Sequence, residues 1–395
     1  MKKKIHAIKY IFKREWTWIL RDEAVLTFFV ALTLMYPIVY TCIYTNETVH
    51  EVPVAVVDHS ASSVAREFVR RWDATSGVRV IARCTDMEEA RRLWWQKEVY
   101  GIMEIPTDFA RRIGRGEQAH LSLYCDMGGL LNYKALLQAA SDVAVLMGKE
   151  IQVAGLPYAS VKQEDLTASP VKMTEVKLFN PQSGYASFII PAILILVIQQ
   201  SLLLGVGTIA GTERERNKRG MLIPPLRYYR NPFSVTVGKT LAYFPVYALV
   251  SVWIFVVVPG IFNLTRIGHP GDLFLFLLPF LLGCIFLAQT LSFLCREREM
   301  PFLIFVFTSV PLMFMSGLSW PVSAIPDYWV AFSQLFPSTH GIEGFVKINN
   351  MGADLREVYP EFYRLWILTA VYFTLACLLY YREIKKVKTG TRPRI

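Results

Sequence analysis

Six stretches of this chain contain no aspartate, glutamate, lysine, arginine or histidine: Ala24–Tyr44, Ala186–Gly211, Thr240–Phe262, Leu273–Cys295, Pro301–Leu318 and Leu365–Tyr381. Buried helices of soluble proteins rarely exclude charge so completely. Each stretch also reaches or nearly reaches the ~20 residues that a helix needs to cross a bilayer. These absences exclude an ordinary soluble protein and predict an α-helical polytopic membrane protein with six transmembrane helices. Cysteine is scarce as well, with six in 395 residues. None has the spacing of a zinc or cluster site, so no metal is inferred. Cys42, Cys284, Cys295 and Cys377 fall in or beside the spans, where cysteine is usually a small apolar filler. A basic domain is missing too. The formal charge of +10 is split among several loops, which reads as membrane topology rather than as a nucleic-acid surface.

The basic residues that are present fall on one side of the spans. Lys2, Lys3, Lys4, Lys9, Lys13, Arg14 and Arg21 precede the first span. A second group, from Arg214 to Lys239, lies between spans two and three, and a third, from Arg382 to Arg394, follows the last. The opposite short loop, Asn263–Asp272, has Arg266 alone. Lysine and arginine concentrate on the cytoplasmic side, so both termini and the 213–239 loop are expected inside. The first span is read as an uncleaved signal anchor, since it has full membrane length and no small-residue cleavage site follows it.

Between spans one and two the pattern shifts to short alternating units. Residues 52–58 (VPVAVVD), 78–84 (VRVIARC), 100–106 (YGIMEIP) and 120–126 (HLSLYCD) read as strands. Helical patterns separate them at Ser62–Trp72, Asp86–Val99 and Thr107–Gly116, and a longer helix is expected from about Gly129 to Gly155. Ser62 or Ser63 fits a helix cap, and Asp86 with Glu89 resembles a capping box. Alternation of this kind predicts an inserted α/β domain with a mixed sheet, placed outside the cytoplasm and followed by a stalk, Pro157–Pro181. Its one superficially catalytic run, Asp58-His59-Ser60, reads as a turn, because a triad needs convergent side chains. Asp126 to Gly129 reads as another turn. Cys84 and Cys125 both end predicted strands in an oxidising compartment. They form a candidate disulfide whose geometry the sequence does not supply.

Gly238-Lys239-Thr240 matches the end of a phosphate-binding loop. That loop needs a glycine five residues before Gly238, where Phe233 stands, so no nucleotide site is inferred.

The 213–239 loop begins with charges at the end of span two, continues through a glycine and two prolines, and ends in Gly-Lys beside span three. With Asn180-Pro181 before span two and SGLSWPVSAIP (316–326) after span five, this order of elements resembles the type-2 permease family of ABC exporters. The domain with VPVAVVD, YGIMEIP, TDFARRIGRGE and LYCD resembles the subgroup with a large extracytoplasmic insertion after the first span. The resemblance implies a cytoplasmic amphipathic connecting helix over residues 1–23 and a first transmembrane helix over 24–45. An extracytoplasmic domain and stalk over 46–185 would follow, then transmembrane helices two to six over 186–395. It also implies that Glu213, Arg214, Glu215, Arg216, Arg219, Gly220, Pro224 and Pro225 belong to a segment coupling the helices to an ABC ATPase subunit. An outer re-entrant segment over 316–345 would carry Gly317, Trp320, Pro321 and Pro326.

As a whole, the resemblance implies a multi-pass permease of a bacterial inner membrane that forms a dimer with a second copy or a related subunit. It binds no cofactor itself and uses ATP through the partner. An extracytoplasmic adaptor protein is a candidate further partner. Two other classes compete with this reading. An ion-coupled secondary transporter needs ionisable groups at mid-membrane, where this chain offers only Gln199, Gln200 and Gln289. A non-transporting receptor or assembly protein would use the outer domain to bind a partner, and no ATPase would co-purify with it. The topology has a direct check. A cysteine introduced at Gln163 should react with an impermeant label added outside, and one at Lys218 should be spared; the reverse pattern rules this orientation out.

Overall fold

The computed structural model of the protein describes residues 2–44, 48–154, 178–180, 184–217, 220–224, 227–264, 266–317 and 320–389. The chain forms two compact units, residues 1–45 with 178–395, and residues 46–177.

The larger unit is helical. Helix α1 (Lys2–Arg21) is followed by α2 (Glu23–Ile43), and Asp22 between them caps α2 by accepting from the Ala24 and Val25 amides. Four further long apolar helices appear in this unit: Tyr185–Arg216, Pro232–Ile261, Pro270–Leu291 and Tyr359–Thr389. Among the described residues, these four and α2 are long and apolar enough to cross a membrane. The stretch expected as span five, Pro301–Leu318, forms a helix over Met300–Met315 only. Its 16 residues rise about 24 Å, less than a ~30 Å hydrocarbon core. Gly317 follows with φ +82, a left-handed conformation that ends the helix.

The third span also starts earlier than expected. Pro232 occupies the first helical turn and Asn231 accepts from the Phe233 amide, so the loop expected over 213–239 spans only residues 217–231. Helix Tyr185–Arg216 occupies the centre, with its whole apolar window buried, whereas α2 and Tyr359–Thr389 bury less than a quarter of theirs.

Three glutamines expected as midspan polarity are spent on contacts between helices. Gln199 accepts from the Ser338 amide at 2.8 Å, Gln200 donates to Thr308 at 3.2 Å, and Gln289 donates to Thr240 at 2.9 Å. Neutral amides paired in this way can sit in an apolar interior at tolerable cost.

The smaller unit is an α/β domain. Strand β1 (Val52–Asp58) lies between β2 (Val78–Cys84) and β3 (Gly101–Ile105), parallel to both. Strand β4 (Ser122–Cys125) runs antiparallel to β3, giving the order β2-β1-β3-β4. Parallel neighbours require crossovers, supplied by helices Ser63–Asp73 and Met87–Trp95. Strand β1 therefore buries both faces. Val52, Val54 and Val56 meet Phe68, Trp72, Leu136 and Val143, while Ala55 and Val57 meet Ala90, Val99 and Ile102 on the other side.

The expected caps are present, with one difference. Ser62 accepts from the Ala65 amide and Asp86 from the Glu89 amide, but the Glu89 carboxylate reaches back to the Thr85 amide rather than to that of Asp86. Asp58 accepts from the amides of Ser60 and Ala61, which makes the Asp-His-Ser run a turn. The long helix spans Leu130–Ala154, and most of the expected stalk lies outside the described residues. The candidate disulfide is not formed, and Cys84 and Cys125 are both free thiols. Their strands are opposite edges of the sheet, three strand spacings or about 14 Å apart, beyond the reach of a disulfide. Burial raises both thiols, Cys125 to about 11.

Trp72, fully buried against the sheet, is the largest side chain in this core. Trp72→Ala should destabilise the 46–177 unit by about 3–5 kcal/mol in urea unfolding. A loss below about 1 kcal/mol would show that the indole does not support the fold.

Candidate functional site

The segment expected to couple the helices to a partner begins where helix Tyr185–Arg216 runs out of apolar residues and reads Thr212-Glu213-Arg214-Glu215-Arg216. These charges do not all face outward. Glu213 is buried and ion-paired to Arg14 of α1 at 2.8 Å, and Lys239 lies 3.8 Å from its other oxygen. Lys239 is itself buried, seven residues into helix Pro232–Ile261, and pairs with Glu15 of α1 at 2.9 Å. Tyr243, one turn further on, donates to the second Glu15 oxygen at 2.6 Å. Arg14 also donates to the Tyr229 hydroxyl at 2.7 Å. Burial first, and the Glu15 carboxylate second, hold the Tyr229 phenol above its ordinary pKa, so it meets Arg14 as a neutral hydroxyl.

Two acids and two bases thus neutralise one another where three helices meet. Helix α1 reaches this point along a stripe of buried positions, Ala7, Ile11, Glu15, Ile19 and Asp22, spaced three or four apart as one helix face requires. Gly238 lets α1 approach, since a Cβ there would lie 2.9 Å from Ile11. The Gly-Lys pair that imitates a phosphate-binding loop is therefore a close helix crossing followed by a buried counter-ion. Glu15 and Lys239 were not singled out in the sequence as a pair. The signal available was an acid on the apolar stripe of α1 and a lysine directly beside a span.

The rest of the segment is anchored as well. Arg214 is half-buried. Glu215 is exposed and accepts from the Arg298 amide at 2.7 Å, while the Arg298 guanidinium reaches Asp22 at 2.7 Å. Arg216 lies over the Trp18 ring, 4.7 Å from its centroid. Gly220 is left-handed at φ +63 and donates to the Asn217 carbonyl. Met221, Leu222 and Ile223 then turn inward as a plug. Leu222 and Ile223 pack with Ile11, Tyr229 and Tyr380, and the Leu222 amide donates to Glu383. Pro224 is half-buried behind them, whereas Arg219 and Pro225 lie outside the described residues.

The second candidate segment, 316–345, is broken into short helices at Val322–Ala324 and Asp327–Ser333, followed by Pro337–Met351. Pro321 and Pro326 immediately precede the first two, and exposed Trp320 donates to the Ala324 carbonyl at 3.4 Å. A Cβ on Gly317 would meet Val322. Helix Pro337–Met351 is buried, and Gly341 and Gly344 press against the rings of Phe280 and Phe276. In that helix His340 meets the Gln334 carbonyl at 3.2 Å, and Glu343 pairs with Lys347 at 3.2 Å.

The long apolar helices define a multi-pass membrane protein with an inserted α/β unit. Residues 24–378 match the family model described as ABC-2 family transporter protein, and the chain belongs to that family. It is 19% identical over 358 residues to the probable multidrug ABC transporter permease YbhR of Escherichia coli K12, covering 89% of this chain and 90% of that relative. It is also 19% identical over 391 residues to ABC transporter G family member 20 of Dictyostelium discoideum, covering 95% of this chain. The chain spans 50% of the length of that second relative.

Breaking a buried ion pair from one side costs about 3–5 kcal/mol, whereas replacing both partners with apolar groups is often near neutral. Lys239→Met should therefore lower the thermal midpoint of the purified protein sharply, and Glu15→Leu with Lys239→Met should recover most of the loss. Equal melting of wild type and Lys239→Met would show that the pair carries no stability.

Proposed function

We propose that the chain is the permease subunit of an ATP-driven ABC exporter, forming the translocation pathway as a dimer and driven by separate cytoplasmic ATPase subunits. The observation that carries this reading is the anchoring of the charged segment at the end of helix Tyr185–Arg216. Loop 217–231 is tied through Glu213, Glu215 and the Met221–Ile223 plug to α1, to helix Pro232–Ile261 and to the Arg298 loop. A partner that moves the loop therefore acts on several helices at once. Family membership supports the same reading. In this reading Met300–Met315 is span five and completes a set of six, its short length met by local thinning of the bilayer. The 46–185 region lies outside the cytoplasm, and both described ends of the chain lie on the cytoplasmic side of a bacterial inner membrane. Segment 316–345 forms the outer re-entrant element, and an adaptor protein is a further outer partner.

The site residues divide by role. Glu213 faces inward and holds the helices. Glu215, Arg216 and the loop beyond them, with Arg219, Gly220 and the two prolines, meet the ATPase. ATP binds the partner, and this chain needs no cofactor of its own.

Charged contacts desolvated at an interface are worth about 2–5 kcal/mol. Replacing Glu215 and Arg219 with alanine leaves the buried cluster intact and should weaken association with the ATPase subunit at least ten-fold. Transport, and ATP hydrolysis by the assembled complex, should fall together. Wild-type association and transport in this variant, or ATP hydrolysis by the purified chain free of other proteins, would sink the reading.

A further inference from the structure

The last two turns of α1 and the last residue of helix Tyr185–Arg216 line an open cavity of about 320 Å³, formed by Arg14, Thr17, Trp18, Arg21, Asp22 and Arg216. Its charges are of two kinds. Arg14 is already committed to Glu213, and Asp22 to Arg298. Arg21 and Arg216 have no ion-pair partner among the described residues. Two cations therefore face one cavity with no acid left to neutralise them. Arg216 is held on the cavity wall by the Trp18 ring beneath it.

Two large apolar side chains close in sequence to the cavity residues are exposed. Leu20 and Leu26, on either side of Arg21 and Asp22, are 57% and 38% exposed. Tryptophan at such a boundary sits at headgroup depth. A guanidinium pair matches the oxygens of a phosphate, and basic pockets between helices at a membrane surface take anionic headgroups.

We propose that this cavity binds the phosphate headgroup of an anionic phospholipid, with Arg21 and Arg216 as its two cationic contacts. A carboxylate from a protein partner would satisfy the arginines but leave the flanking leucines uncovered, whereas a lipid meets both needs with one molecule. The proposal requires that the chain be embedded in a membrane; Arg216 also belongs to the segment proposed to meet the ATPase, so the test uses the chain without that subunit.

The test uses the full chain purified in an uncharged detergent, offered phosphatidylglycerol and phosphatidylcholine of equal acyl length, with retained lipid counted by native mass spectrometry. Phosphatidylglycerol should be retained in preference. Each arginine near a surface contributes about five-fold to such binding. Arg21→Gln should thus lower retention about five-fold, and Arg21→Gln with Arg216→Gln further, while Arg21→Lys should keep most of it. A monodisperse elution profile for Arg21→Lys beside a poorly folded Arg21→Gln leaves the charge dependence to be read from Arg216→Gln alone, with the same five-fold loss expected. Equal retention of the two lipids, or variants that retain lipid as the wild type does, overturns the proposal. Displacement of the lipid by inorganic phosphate or glycerol phosphate at matching concentration assigns the site to a free phosphate and overturns the lipid. Lost ATPase-subunit binding in Arg21→Gln, with lipid retention unchanged, assigns it to that protein instead.

Discussion

The pairing of Glu15 with Lys239 constrains the rest of the membrane unit. Neither charge could be buried alone, because removing an ion from water costs several kcal/mol that only a close counter-charge can offset. Lys239 stands on a helix whose course is set by its apolar length, so Glu15 must come to it, and α1 must lie where it does. Tyr243 then carries the network inward. Its hydroxyl binds Glu15, and its ring meets Phe29 edge to face at 5.7 Å. Phe29 fills the space left by Gly205 and also packs on Tyr247, which donates to Ser201. A polar cluster at one end of the helices is thus joined to aromatic packing among them, by contacts that each need the next.

The long apolar helices and all four strands were legible in the sequence because their signals are local. Uniform apolarity needs no partner to be recognised, and neither does the alternation that marks β1 to β4. What failed to show was set by contacts distant in the chain. The inward face of Glu213 depends on Arg14, about two hundred residues away, so a run of charges at a helix end read as a segment that docks on a partner. Met221 to Ile223 lay in a loop whose charges and prolines drew attention from three apolar residues that plug the core. The separation of Cys84 from Cys125 is a matter of strand order. Two strands that end in cysteine look alike whether they are neighbours or opposite edges.

Polar side chains along helix Tyr185–Arg216 change character in sequence. From mid-helix onward Gln199, Gln200 and Ser201 are followed by Thr208 and Thr212, and only at Glu213 do acidic and basic groups begin. Each class is satisfied differently. The glutamines bond across to Ser338 and Thr308, the threonines return their hydroxyls to carbonyls one turn back in their own helix, and Glu213 takes two cations. This order follows the cost of burial. An amide can be satisfied by one or two neutral partners, while a carboxylate deep in hydrocarbon would need a full counter-charge in the same place. Ionised groups are tolerable only where water or headgroups lie within reach of the cluster's outer members, as for exposed Glu215 and Arg216. The position where the helix changes from amides to ions is also where its side chains pass from buried, at Glu213, to exposed, at Glu215 and Arg216. Loop 217–231 begins at that point, next to the ion pairs that join this helix to α1 and to helix Pro232–Ile261.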